Sequence, residues 1–113
     1  MEIIRKEKSH RFENGTDFVA HEYDTKCPEL NIARIELYGR FPATGTMRNT
    51  KVKEAVYVES GQGTVTINGI SNTIGQGDVI LYLENEEVFW EGQLVLITAC
   101  TPAWTTTQHE MLD

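Results

Sequence analysis

Apolar and polar residues alternate in short runs along most of the chain, and turn-forming residues separate the runs. Phe18 to Tyr23 is one such run. In Asn31 to Gly39 the alternation is clean: Ala33, Ile35 and Leu37 fall on one face, and Arg34, Glu36 and Tyr38 on the other. A period of two residues marks a strand with one face buried. Ala55 to Glu59 and Thr64 to Ile67 are rich in β-branched and aromatic residues, and Ser60-Gly61-Gln62-Gly63 lies between them. That arrangement predicts two strands joined by a turn. Asn68-Gly69 predicts a type I′ hairpin, whose two central positions both take positive φ. Asp78 to Leu83, Val88 to Trp90 and Leu94 to Ala99 complete the predicted strands, and Pro42 to Thr46 reads as a loop. Short strands at this spacing predict an all-β sandwich or barrel. Near the end, Thr105 and Gln108 have the spacing of a capping box, which predicts a closing helical turn.

Size and charge narrow the function. With 113 residues the chain is expected to fold as one domain with one core. Its net charge of -7 repels phosphate backbones and anionic lipid, so neither nucleic acid nor a membrane surface is an expected partner. The basic cluster Arg5, Lys6 and Lys8 is interrupted by Glu7 and reads as a solvated segment. Cys27 and Cys100 form no disulfide framework; Cys100 ends an apolar run and is expected to be a buried, inert thiol. The opening MEIIRKEKSH has no apolar core of a leader, and no apolar run approaches the roughly 18 residues of a membrane span. A cytoplasmic location is the expectation. Gly61-Gln62-Gly63 and Gly75-Gln76-Gly77 do not lead into helices, so they read as turn chemistry and not as phosphate loops.

Two spaced patterns carry a resemblance. Met47 to Gly61 keeps the Glu and Gly of H-x-H-x(3,4)-E-x(6)-G, as Glu54 and Gly61. Gly77-Asp78 opens a stretch with the spacing of G-x(5)-P-x-G-x(2)-H-x(3)-N. In this frame the chain resembles the cupins. The resemblance implies a single β-barrel of the double-stranded β-helix, or jelly-roll, type, and a homodimer. It also implies that Glu54 points into the barrel with Val56 and Val58, while Ala55, Tyr57 and Glu59 point out. Val88 occupies the second pattern's histidine position, and Trp90 shares its face. The first pattern's histidine positions hold Arg48 and Thr50, or Met47 and Asn49, depending on the gap.

The usual metal set of that family is therefore reduced to Glu54. Valine has no donor, and an inward arginine would oppose a dication. No metal and no cofactor are expected. The polar residues left to the barrel make a recognition set for a small polar metabolite, a sugar or an organic acid: Arg34, Glu36, Arg48, Asn49 and Glu54, with Val88 and Trp90 as apolar contacts. The expected role is that of a sensor or carrier. Arg34 and Glu36 have a second reading, as a solvated outer face with weak ion pairs. An alternative function is metal-independent sugar isomerisation or epimerisation, with Glu54 and His21 as the acid–base pair and Tyr38 assisting. A further one is a metal enzyme with the atypical ligands His21, Glu36 and Glu54. Trp104 is expected at a subunit interface, and His10 and His109 at the surface.

Overall fold

The computed structural model describes residues 1–113. Nine strands follow one another: β1 (His10–Glu13), β2 (Phe18–Tyr23), β3 (Asn31–Phe41), β4 (Thr46–Asn49), β5 (Lys53–Ile67), β6 (Ile70–Gly75), β7 (Val79–Tyr82), β8 (Val88–Thr101) and β9 (His109–Leu112). The helical pieces are two three-residue 3₁₀ turns, Lys6–Lys8 and Thr106–Gln108. No helix is long and apolar enough to cross a membrane.

All pairings are antiparallel, and β8 is the spine. Along one edge it pairs with β3, from Asn31↔Cys100 to Phe41↔Trp90. Along the other it pairs with β5, from Lys53↔Thr101 to Ile67↔Val88. β2 and then β1 extend the β3 side, β9 joins β4, and β6 and β7 share the outer edge of β5. The sheet curls around one core cluster that includes Leu37, Val56, Val58, Val65, Leu94 and Leu96.

β5 and β8 run for 15 and 14 residues, where separate short strands were predicted. A row of glycines explains how such long strands bend. Gly39, Gly92 and Gly63 lie side by side on β3, β8 and β5. Just beyond, a Cβ on Gly61 would stand 2.0 Å from the Gln93 carbonyl oxygen, and Gly61 has φ +93°. Glycine therefore permits the backbones to cross closely and the sheet to fold over. Gly61-Gln62-Gly63 is this bend and not a turn between strands. The irregularity between Val58 and Ser60 inserts one residue into β5. It flips the inward parity, from Glu54, Val56 and Val58 to Val65.

The hairpin at Asn68-Gly69 forms as predicted, with φ of 50° and 80° between β5 and β6. The tail does not end in a helix. Thr105 makes no capping bond, the turn lasts three residues, and the chain then extends as β9 against β4. β1, within a segment read as solvated, pairs with β2 although every residue of it is exposed.

Candidate functional site

The barrel encloses a cavity of about 160 Å³ that opens to solvent. Alternation decides what lines it. On β3, Ala33, Ile35 and Leu37 face the cavity, so Arg34, Glu36 and Tyr38 lie outside. Burial of the aliphatic face outweighs any use for polar groups on that strand. Arg34 instead pairs with Glu36 and with Glu59 across the outer surface, both at 3.3 Å, and Tyr38 is exposed. On β2, Phe18, Ala20 and Glu22 line the cavity. His21, opposite Arg34 and Arg11, therefore faces away. The Glu54–His21–Tyr38 set expected for catalysis does not assemble, nor does the atypical metal set of His21, Glu36 and Glu54.

On β4 the inward residues are Met47 and Asn49, which resolves the open phase. Arg48 points out and pairs with Glu110 of β9 at 3.0 Å. Val88 is fully buried in the core but does not line the cavity, so it offers no surface to a ligand. Trp90 does line it, edge-on to Tyr82 with ring centroids 6.4 Å apart.

The polar end of the cavity is built by registers. Glu54 on β5 lies opposite Tyr82 on β7 and Cys100 on β8. Asn49 on β4 lies opposite His109 on β9. Tyr82 donates its hydroxyl hydrogen to Glu54 Oε2, and Asn49 Nδ2 donates to Glu54 Oε1 at 3.1 Å. Asn49 Oδ1 is the meeting point of Trp104 Nε1 at 3.1 Å, Gln108 Nε2 at 3.0 Å and His109 Nδ1 at 3.1 Å. The Trp104 ring lies 5.2 Å from the His109 ring. Asn49 is 2% exposed, and both its side-chain oxygen and its side-chain nitrogen are hydrogen-bonded.

Burial sets the electrostatics. It holds the Glu54 carboxyl above its ordinary value, although the bonds from Tyr82 and Asn49 pull the other way. Tyr82 is pushed well above the usual phenol range by burial and by the Glu54 charge. The Cys100 thiol is raised by burial and then by Glu54, which keeps it an unreactive thiol. Glu22 is raised by burial and by nearby Asp24, with His10 opposing. His109 is lowered by burial alone.

These directions fix a stability profile. An acid held above its ordinary 4.5 favours the fold most below that value, and the contribution is lost as pH rises through the folded value. Glu22 acts in the same sense. His109 acts in the opposite sense, since its contribution is full above its ordinary 6.5 and is lost as pH falls through the lowered value. Glu54→Gln removes one of these groups. Wild type should gain melting temperature relative to this variant as pH falls from about 8 towards 4.5. A difference that stays constant in paired thermal melts across that range would show that Glu54 carries no such shift.

No family model matches the chain, and no curated protein does. Solved structures do. Pac13, a nucleoside dehydratase, superposes with a TM-score of 0.88 over 99% of this chain and 91% of its own, at 20% identity. A Streptomyces form of it was solved with uridine, also at 0.88 and 20% identity, over 99% of this chain and 90% of that one. An RmlC-like cupin from Shewanella frigidimarina gives 0.74 over 91% of this chain and 92% of that one, at 17% identity. The chain has the cupin fold. Within that fold, the positions where metal-bearing cupins place histidines hold Met47, Asn49 and Val88. Glu54 already accepts two hydrogen bonds, and no three His, Cys, Asp or Glu side chains converge anywhere in this chain. The donor set does not fit a transition metal.

Tyr82, Trp104, Gln108 and His109 were missed as site residues from the sequence. The one available signal was alternation in the tail. Read as a strand, it puts His109 and Met111 on one face, and both line the cavity.

Proposed function

We propose that this barrel binds a small, uncharged, hydroxylated molecule built on a ring, in the manner of a sensor or carrier. The observation that carries the reading is the composition of the cavity: apolar and aromatic walls, one polar end, two carboxylates in Glu22 and Glu54, and no lysine or arginine. An anion entering it would meet like charge with no cation to offset it, so the organic acid half of the sequence expectation loses its support. The volume suits a ring with a few substituents, since an apolar cavity of ~150 Å³ holds a benzene-sized molecule. Trp90 offers an aromatic wall to such a ring. A neutral nucleoside bound by a protein of the same fold supports the same size and charge class.

Thermal melting against a ligand panel tests this. Uridine and neutral pentoses should raise the melting temperature, with a gain of ~2.7 kcal/mol at a hundredfold excess over the dissociation constant. Uridine monophosphate and simple carboxylic acids should leave it unchanged. Stabilisation by the anions alone would reverse the assignment.

A second reading, proton-transfer catalysis, is favoured by one observation. His109 and Glu54 share Asn49 as a hydrogen-bond partner at the cavity's polar end. Burial raises the acid and lowers the base, so near pH 7 the ring is held in its neutral, proton-accepting form. His109 thus takes the place that the sequence reading gave to His21. In heavy water, this reading expects solvent deuterium at the carbon beside the carbonyl of a pentose. It also expects His109→Gln to slow that uptake by ~100-fold or more. Uptake no faster than in buffer would leave the binding role alone.

A further inference from the structure

The contacts around Asn49 fix which nitrogen of His109 carries the proton. An indole N–H only donates, so the Asn49 atom facing Trp104 Nε1 is the amide oxygen. The other end of the amide agrees: its nitrogen faces Glu54 Oε1. The amide therefore has one orientation. An amide oxygen cannot donate, so His109 Nδ1, 3.1 Å from it, must carry the hydrogen.

A neutral imidazole protonated at Nδ1 has its lone pair on Nε2. Nothing in the chain uses that lone pair. It is also reachable, because no fully buried side-chain nitrogen or oxygen lacks a partner, and the ring lines the cavity. The neighbouring acceptors are engaged: both Glu54 oxygens receive bonds from Tyr82 and Asn49, and Asn49 Oδ1 receives three. The burial that disfavours imidazolium keeps the ring neutral and accepting near pH 7.

We infer that His109 Nε2 is a fixed hydrogen-bond acceptor in the cavity, so the occupant is selected for a hydroxyl group that donates to it. Asn49 is the positioning residue. It acts on the ligand only through the tautomer it imposes, held in place by Trp104 and Gln108. The inference deepens the reading of the cavity as a ligand site and rests on it. It adds a rule of discrimination: an alcohol is preferred over its methyl ether, which has the same shape near the oxygen but no hydrogen to give. A site built to pair a substrate hydroxyl discriminates strongly against an analogue that lacks it, because the buried partner is left unsatisfied.

Two measurements on the intact protein test it. Long-range ¹H–¹⁵N correlation spectra at pH 7 should show His109 protonated at Nδ1 and bare at Nε2; the opposite tautomer overturns the inference whatever binds. Benzyl alcohol and benzyl methyl ether are then titrated as probes, with the cavity-lining Trp104 indole N–H as reporter in both wild type and variant. The alcohol should bind about tenfold or more tightly than the ether, the equivalent of ~1.4 kcal/mol. His109→Phe should erase that preference while ether affinity stays within about twofold. Equal binding of the two probes to wild type, or a preference that persists in His109→Phe, overturns the inference and leaves the cavity reading standing. If neither probe binds, the cavity reading falls and takes this inference with it.

Discussion

Asn49→Leu should destabilise the protein by roughly 3 kcal/mol or more, with a fall in melting temperature of about 10 °C or more. Leucine has the same number and branching of side-chain heavy atoms as asparagine, so the loss is chiefly that of the hydrogen bonds. The substitution takes the acceptor from the Trp104 indole, the Gln108 amide and the His109 ring, and removes a donor from buried Glu54. Each buried polar group stripped of its partner costs about 1–3 kcal/mol. The estimate stays at the low end of that sum because His109 and Trp104 are only part-buried and can turn to water. Asn49 also ties β4, β5, the segment after β8, and β9 to one atom group, so the cavity should lose its polar end together with the stability. Asn49→Asp is the informative companion: it keeps an acceptor for the three donors but sets a second carboxyl against Glu54 where the amide donated, so the two acids repel or share a proton. Chemical denaturation of the three proteins checks this. A leucine variant within about 1 kcal/mol of wild type would mean that the cluster is incidental to the fold.

The second large effect belongs to the bend. Gly61→Val should prevent stable folding, at a cost exceeding ~4 kcal/mol, the level at which a single substitution points to a specific mechanism. Any Cβ at Gly61 lands 2.0 Å from the Gln93 carbonyl oxygen, and that neighbour is backbone of the spine strand β8. It cannot move aside without breaking the β5–β8 pairing. The φ of +93° adds backbone strain for a β-branched residue. Gly77→Val provides the contrast. Its φ of +91° is similar, but no atom lies within 4 Å of the added Cβ, so it should lose only the strain, about 1–3 kcal/mol. Soluble expression and circular dichroism separate the two. A Gly61→Val protein that melts no lower than Gly77→Val would show that the strands do not need that close approach.

Much of the fold was legible because it depends on a local period. The resemblance set Glu54 inward and alternation carried that face to Val56 and Val58, as the burial of β5 shows, and Asn68-Gly69 named the hairpin. The same rule, applied to β3 without any appeal to relatives, would have put Ala33, Ile35 and Leu37 inside. The expectation that Arg34 and Glu36 line the barrel set family habit against hydrophobic burial, and burial prevailed. The glycine row was misread as turn punctuation. A glycine that lets strands cross looks the same in sequence as one that ends a strand, and only the register across Gly39, Gly92 and Gly63 tells them apart. The polar end was the least legible part. Asn49 meets His109 across 60 positions and Trp104 across 55. No local spacing encodes such contacts, and the Thr105–Gln108 pattern marked the short 3₁₀ turn without the strand β9 that follows it. Glu54 and Asn49 were nonetheless singled out from the sequence, and both stand in the cluster.

The most direct measurement is a chemical-shift titration of the isotope-labelled protein with uridine. The cavity-lining indole of Trp90, the Trp104 Nε1 and the His109 ring should all move with one common dissociation constant. His21 and the Arg34 guanidinium, on the outer face, should stay still. Shifts confined to His21, Arg34 and their neighbours, with the Trp90, Trp104 and His109 signals unmoved, would contradict a ligand site inside the barrel.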